Sequence, residues 1–451
     1  MPPDIEATAP QSFQQEWMAA GKLRHPNPGW NMLLPWRLTG PLDRGALLAG
    51  VDAVIARHEV LRTTHAVDGR GRAVQVVRPH RGWEVVDELD LRRLSPASRA
   101  GELARLSRER HGRAHDHARG PLFAGTLVRC LDDEAYLLFA IDHSVCDGWS
   151  IGVLLAELSA AYNGAVTGRG QRLWPLPGQY RDFAVKQRQI AAEGGFDDQL
   201  DWWAGRLAPG TLGLAAAPPS GVDGYRSAQH PLVVPAEVVD RLRRLRGTLF
   251  MTLLAGLAGT LSRRTETGDV AVTSLAACRG RTEHQRLIGL FANPVVIPLP
   301  VAGVGSFAGL LDRVRSGVVA ANSRQDAPFP LVAERTGVTA PEIWLNVAPP
   351  PALARFRGLA VDTDALRHDY PIDVPAVVWR GEMLICNLAD TGAGLVGLID
   401  YNRNQLDART VAGLAEDFVG LLTEAARDPG TPLPAPASRP PLASASDSGR
   451  S

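Results

Sequence analysis

Six consecutive apolar residues, Tyr136-Leu-Leu-Phe-Ala-Ile141, stand between charged neighbours. A run with no polar position has no face to offer water, so it reads as a strand covered on both sides. A polar, glycine-bearing loop from Asp142 to Trp149 follows. Beyond it, Ile151, Leu154, Leu155, Leu158 and Tyr162 fall on one face of a helix spanning Ile151 to Tyr162. Strand, loop and helix in this order form an α/β building block, and the loop at the strand's C-terminal end is where such folds place reactive groups.

Strand-like and helix-like stretches are mixed along the whole chain with no fixed-period repeat, which predicts an α/β or α+β architecture, of which α/β is the expected class. Leu42 to Arg57 reads as a core-facing helix through Leu47, Val51, Val54 and Ile55, with Asp43 as its cap. Asp269 to Ala276, Pro294 to Leu299, Met383 to Leu388 and Leu395 to Tyr401 read as strands, and Ser306 to Ala321 as a helix capped by Ser306. The Gly- and Pro-rich stretch between Tyr162 and Gln179 reads as a linker. The expected organisation is an N-terminal lobe over 1–170, a C-terminal lobe over 171–427 and a Pro/Ser-rich tail over 428–451 too poor in apolar surface to order itself.

Composition narrows the function. With 451 residues, 45% of them apolar, the chain can bury a large core, and its 48 basic and 48 acidic residues balance. No global field exists to hold a polyanion, so nucleic acid is not expected as a partner. Cys130, Cys146, Cys278 and Cys386 are widely separated, which predicts reduced thiols in a cytoplasmic protein. The Met1 to Pro10 segment lacks an apolar signal core, and the long uncharged stretch Leu287 to Leu311 is broken by Asn293, Pro294, Pro298 and Pro300, so no membrane span is expected.

Within the loop, His143 is a candidate base near neutral pH, Asp147 is placed to brace the turn, and Gly148 leaves a backbone N–H at a helix start where negative charge is favoured. A buried, hydrogen-bonded His at a turn is the structural alternative. The loop, Asp142-His-Ser-Val-Cys-Asp-Gly148, resembles the H-H-x-x-x-D-G motif of condensation domains of nonribosomal peptide synthesis, relatives of the chloramphenicol acetyltransferase-like acyltransferases. Further segments resemble that family's signatures in order: Ser12-Phe-Gln-Gln-Glu-Trp17, Arg57-His-Glu-Val-Leu-Arg-Thr-Thr64, Tyr180-Arg-Asp-Phe-Ala184, Ile288-Gly-Leu-Phe-Ala-Asn293 and Gln325-Asp-Ala-Pro-Phe329.

The resemblance implies two acyltransferase-like lobes in a V-shaped arrangement with a tunnel between them. It implies that His143 promotes attack of an amine, or a hydroxyl, on a carrier-bound acyl thioester. It further implies that Asp147 is structural and pairs with Arg62, and that Asn346 in Ile343-Trp-Leu-Asn346 faces the substrates; a hydrogen-bonded strand residue is the alternative at Asn346. No bound cofactor is implied; the acyl group arrives on the phosphopantetheine arm of a peptidyl or acyl carrier protein, and a small-molecule amine or alcohol accepts it. A monomer is expected.

Asp142 departs from the family pattern by replacing the first His. It creates Asp142-x-x-x-x-Asp147-x-x-Ser150, resembling the signature of heterocyclisation domains, and makes Asp142 and Ser150 candidates for substrate contact. Asp142 pointing into a hydrogen-bond network behind the site is the other reading, and a catalytically silent platform for a carrier protein or tailoring enzyme is the competing function. Gly148-Trp-Ser150-Ile-Gly152 matches the G-x-S-x-G nucleophile elbow, but a loop intervenes where the strand should run into the serine, so Ser150 reads as a helix cap. His111, His115 and His117 form H-x-x-x-H-x-H without a carboxylate or cysteine complement, and no metal is expected. Gly303-Val-Gly305 imitates a dinucleotide fingerprint without the ribose-binding acid and reads as a loop before a capped helix. No phosphate loop, carrier serine motif or adenylation segment is recognised, which leads to the expectation of a free-standing condensation enzyme.

Overall fold

In the structure, a computed structural model, the apolar run lies in a strand, Glu134–Asp142, that is buried from Ala135 to its end. The structure describes residues 5–24, 31–80, 86–170, 173–207, 227–265, 269–338, 343–348, 354–363 and 384–433. The tail expected to be unordered lies, beyond residue 433, outside the described residues. Contacts divide the chain into two compact units. The first holds Met1–Gly195, Ala277–Ala292 and Pro351–Val374; the second holds Phe196–Ala276, Asn293–Pro350 and Pro375–Ser451. The helix Tyr180–Ala192, beyond the expected boundary at 170, therefore belongs to the first unit, as does the segment 277–292.

The first unit runs β1 (Ala7–Pro10), α1 (Phe13–Arg24), β2 (Asn31–Thr39), α2 (Arg44–Arg57), β3 (Thr63–Val67), β4 (Ala73–Val77), β5 (Val86–Asp90), α3 (Pro96–Gly112), β6 (Phe123–Arg129), β7 (Glu134–Asp142), α4 (Gly148–Thr167) and α5 (Tyr180–Ala192). Strands β1, β4 and β3 make a small antiparallel sheet. In the larger sheet β7 lies between β2 and β6, antiparallel to both, which explains its lack of polar positions: both edges are hydrogen-bonded and both faces are covered. On one face Tyr136 and Leu138 pack with Leu103 and Leu106 of α3. On the other, Phe139 meets Trp36 edge-on at 5.3 Å and Phe123 at 5.0 Å.

Helix α2 starts where expected, with Asp43 Oδ1 accepting the Ala46 N–H at 2.9 Å. It lies close against α4: a Cβ on Gly50 would sit 3.1 Å from Leu158, so only glycine fits without a shift. Helix α4 is longer than its apolar stripe predicts. Capped by Asp147, it starts at Gly148, three residues ahead of Ile151, and Gly168, in the left-handed region at φ 64°, stops it after Thr167. The stretch read as linker is therefore helical for its first five residues after Tyr162.

The second unit carries α6 (Asp197–Ala204), β8 (Ser227–Pro235), α7 (Ala236–Leu242), α8 (Leu249–Thr265), β9 (Asp269–Ala276), β10 (Asn293–Pro300), α9 (Phe307–Asn322), α10 (Phe329–Thr336) and β11 (Ile343–Ala348). After β12 (Ala360–Asp362), which adds to the edge of β2 in the first unit, come β13 (Leu384–Asp390), β14 (Gly394–Asn402) and a further helix, Ala408–Arg427. Their sheet has the order β10-β9-β11-β13-β14-β8 and mixes parallel pairs at β11 with antiparallel ones elsewhere. Ser306 Oγ caps α9 as expected, with Gly303 at φ 70° in the loop before it. Among the described residues no helix is long and apolar enough to cross a membrane.

Candidate functional site

His143 is the first residue of a single 3₁₀ turn, His143–Val145, between β7 and the cap of α4. That turn is itself capped: Asp142 Oδ1 accepts the Ser144 N–H at 2.9 Å and the Ser144 hydroxyl at 2.6 Å. Asp142 Oδ2 accepts from His117 Nε2 at 3.0 Å. Asp142 is thus buried in a hydrogen-bond network behind His143, the second of its two readings. His143 is half-buried.

Asp147 anchors the other end of the loop. Its Oδ1 accepts the Ser150 N–H at 2.9 Å, which makes Asp147, and not Ser150, the cap of α4. The expected partner Arg62 does not reach it: Arg62 Nη1 donates to Glu6 and to the Arg78 carbonyl. The partner is Arg279, whose Nη2 lies 2.9 Å from Oδ1 and 3.1 Å from Oδ2 with both side chains out of solvent. Oδ2 also accepts the backbone N–H of Phe291 at 2.9 Å and of Ala292 at 3.2 Å. Burial lowers the Arg279 pKa and the Asp147 charge opposes that shift. Nothing local in the sequence signals Arg279, because its partner stands 132 positions away.

Ser150, expected either as a substrate contact or as a cap, is not the cap. Its hydroxyl is buried, 2.7 Å from Asp147 Oδ1, and accepts the Gly289 N–H at 3.0 Å, so it ties the loop to segment 277–292. That burial also removes it as an elbow nucleophile. Gly148 opens α4 and is exposed, and its backbone N–H lies in the first turn, where no intrahelical acceptor exists.

The signature segments converge on this anchor. Tyr180 donates its hydroxyl hydrogen to the Leu290 carbonyl at 2.7 Å and lies 2.8 Å from Ser12 Oγ. A Cβ on Gly289 would come within 2.1 Å of the Tyr180 ring. Phe291 meets Tyr180 edge-on at 5.0 Å and lies under the Arg279 guanidinium at 4.1 Å. His58 joins Glu157 of α4 at 2.8 Å, and its other ring nitrogen faces the Ile288 N–H at 3.5 Å. In the second unit Asn293 donates to the carbonyls of Gln325 and Ala327 and accepts from the Phe329 N–H, joining the last two signatures.

Asn346 lies on β11, where its Oδ1 accepts the Leu275 N–H at 3.3 Å and its Nδ2 donates to Asn387 at 3.1 Å. Of the three clustered histidines, His115 bonds the Pro121 carbonyl at 2.8 Å, His117 bonds Asp142, and His111 is buried on α3. Among the described residues no group of three or more His, Cys, Asp or Glu side chains is placed to hold a metal.

The His143 turn, set between the central strand β7 and the helix that Asp147 caps, is a strand–turn–helix unit of an α/β fold. The chain belongs to the condensation-domain family: the family model described as "Condensation domain" matches residues 5–342. It is 32% identical over 446 residues to a phosphinothricin tripeptide synthetase of Streptomyces viridochromogenes, covering 96% of this chain and 40% of that protein's length. It is also 33% identical over 408 residues to a linear gramicidin synthase of Brevibacillus parabrevis, covering 87% of this chain and 8% of that protein. The chain thus spans less than half the length of either relative. Its fold matches the X-domain from teicoplanin biosynthesis with a TM-score of 0.77 at 20% identity, over 96% of this chain and 97% of the other. It also matches the first condensation domain of the calcium-dependent antibiotic synthetase, solved with a substrate analogue, with a TM-score of 0.76 at 19% identity over 95% and 99%.

Proposed function

We propose that this chain forms an amide, or an ester, between an acyl group carried as a thioester on a carrier protein and a small amine or alcohol. The observation that carries the reading is His143 on its own capped turn, locked at one end by Asp142 and at the other by the buried Asp147–Arg279 pair. In the reaction the acceptor nitrogen or oxygen bonds to the acyl carbon, and the carbon–sulfur bond breaks. The sulfur leaves with the bonding electrons and is protonated, while the acceptor loses a proton. His143 takes that proton or holds the neutral acceptor in line for attack. The Gly148 N–H, at the positive end of α4, is the candidate donor to the oxyanion that forms at the thioester carbonyl. The phosphopantetheine arm of the carrier presents the acyl group, and the protein's own residues position and polarise.

The test is intact-mass detection of product from acyl- or aminoacyl-loaded carrier proteins and a panel of amines, alcohols and cysteine. His143→Ala should lower turnover by about 10²- to 10⁴-fold with folding unchanged. Loss of a further water with cysteine would assign the heterocyclisation variant suggested by Asp142. Carrier binding without product from any pairing would assign the silent platform instead.

A further inference from the structure

His117 and Asp142 share a hydrogen bond, and a second imidazole stands beside them. His65 Nε2 lies 3.1 Å from Ser144 Oγ, and its ring stacks on that of His117 with centroids 5.5 Å apart. The backbones are joined as well, with the His65 N–H donating to the His117 carbonyl at 2.7 Å. Proton bookkeeping orders the chain. Ser144 Oγ has one hydrogen and sits 2.6 Å from Asp142 Oδ1, a carboxylate that only accepts, so the serine accepts from His65 Nε2. His65 Nδ1 is then left to accept from Gln11 Nε2 at 3.0 Å. A line of side chains from the residue after β1, from β3 and from the loop after α3 therefore ends on the residue that caps the His143 turn.

We propose that His117, backed by His65 and Ser144, is a positioning residue for His143 and acts through Asp142. The inference rests on the reading of His143 as the group that promotes attack. Asp142 stands where the family resemblance expects an imidazole, and His117 brings one to the same place from a different loop. A carboxylate with an imidazole across one hydrogen bond is an exchangeable pair, so the order of the two residues should matter less than the presence of both. His117 is 30% exposed, so its replacement opens little volume in the core.

The experiment compares wild type with His117→Ala, Asp142→Asn and the exchanged double variant Asp142→His/His117→Asp, in the carrier-loaded product assay and in ¹⁵N spectra of the histidine rings. The expected result is a kcat lower by about 10- to 100-fold in each single variant with KM for donor and acceptor within twofold, because a small misplacement of a reacting group costs rate and not binding. The His143 ring resonances should move in both single variants, and the exchange should restore both kcat and the His143 resonances most of the way. Wild-type kcat in His117→Ala, unmoved His143 resonances, or a double variant no better than the singles would overturn the proposal. If wild type forms no product with any substrate pair, the functional reading fails separately. The ring resonances then decide alone: movement in His117→Ala supports the positioning link, and stasis ends it.

Discussion

Asp147 keeps its carboxylate where water does not reach, and it is tolerated there because donors surround it: a guanidinium, a hydroxyl and three backbone N–H groups. Removing one member of such a pair strands the other. Asp147→Ala and Arg279→Ala are each expected to cost about 3 to 5 kcal/mol, and the double variant less than the sum, because the second change removes the stranded charge. Urea unfolding of the three variants checks both statements. Arg62→Ala breaks a pair with a 43% exposed Glu6 side chain, leaves Asp147 untouched, and should cost less than either. At this scale the sequence revealed which residues carry charge and which turn they share. It concealed their partners, since a chain with 48 basic residues offers no local reason to choose Arg279 over Arg62.

Elements were legible where one physical cause sets them. The apolar run became β7 because a strand paired on both edges and covered on both faces admits no polar side chain. The limits of α4 escaped the apolar stripe, since they are set by the Asp147 cap and by Gly168 and not by hydrophobic spacing. Segment 277–292 was opaque for a different reason. It contains little regular structure beyond the short turn Thr282–His284, and its conformation comes from what it touches. Its tightest point is Gly289 against Tyr180. Gly289→Ala is expected to destabilise by about 1 to 3 kcal/mol through overpacking and to make the Phe291 and Ala292 amides exchange faster, as hydrogen-exchange mass spectrometry would show.

For the whole molecule, buried thiols predict behaviour in alkali. Burial pushes Cys130 and Cys386 from the ordinary 9.0 up to about 12, and Cys146 rises too. A raised folded value means that the unfolded chain loses thiol protons first. Their contribution to stability is therefore intact below pH 9, declines above it and is exhausted as the pH passes about 12. Unfolding free energy should fall between pH 8 and pH 10.5, and Cys386→Ala should flatten that slope; equal slopes in the two proteins would contradict it.

Segment 277–292 also imposes a schedule on synthesis. Once Asp147 is joined to the growing chain, 132 residues must be added before the arginine that neutralises it is in place, a delay of roughly 7 to 26 s at about 5 to 20 residues per second. Until that arginine arrives the nascent first unit carries an unneutralised carboxylate and, once Tyr180 is made, an unfilled place beside its ring. A gene cut after residue 195 would make that waiting state permanent, so the natural seam of this protein does not follow the order of its codons.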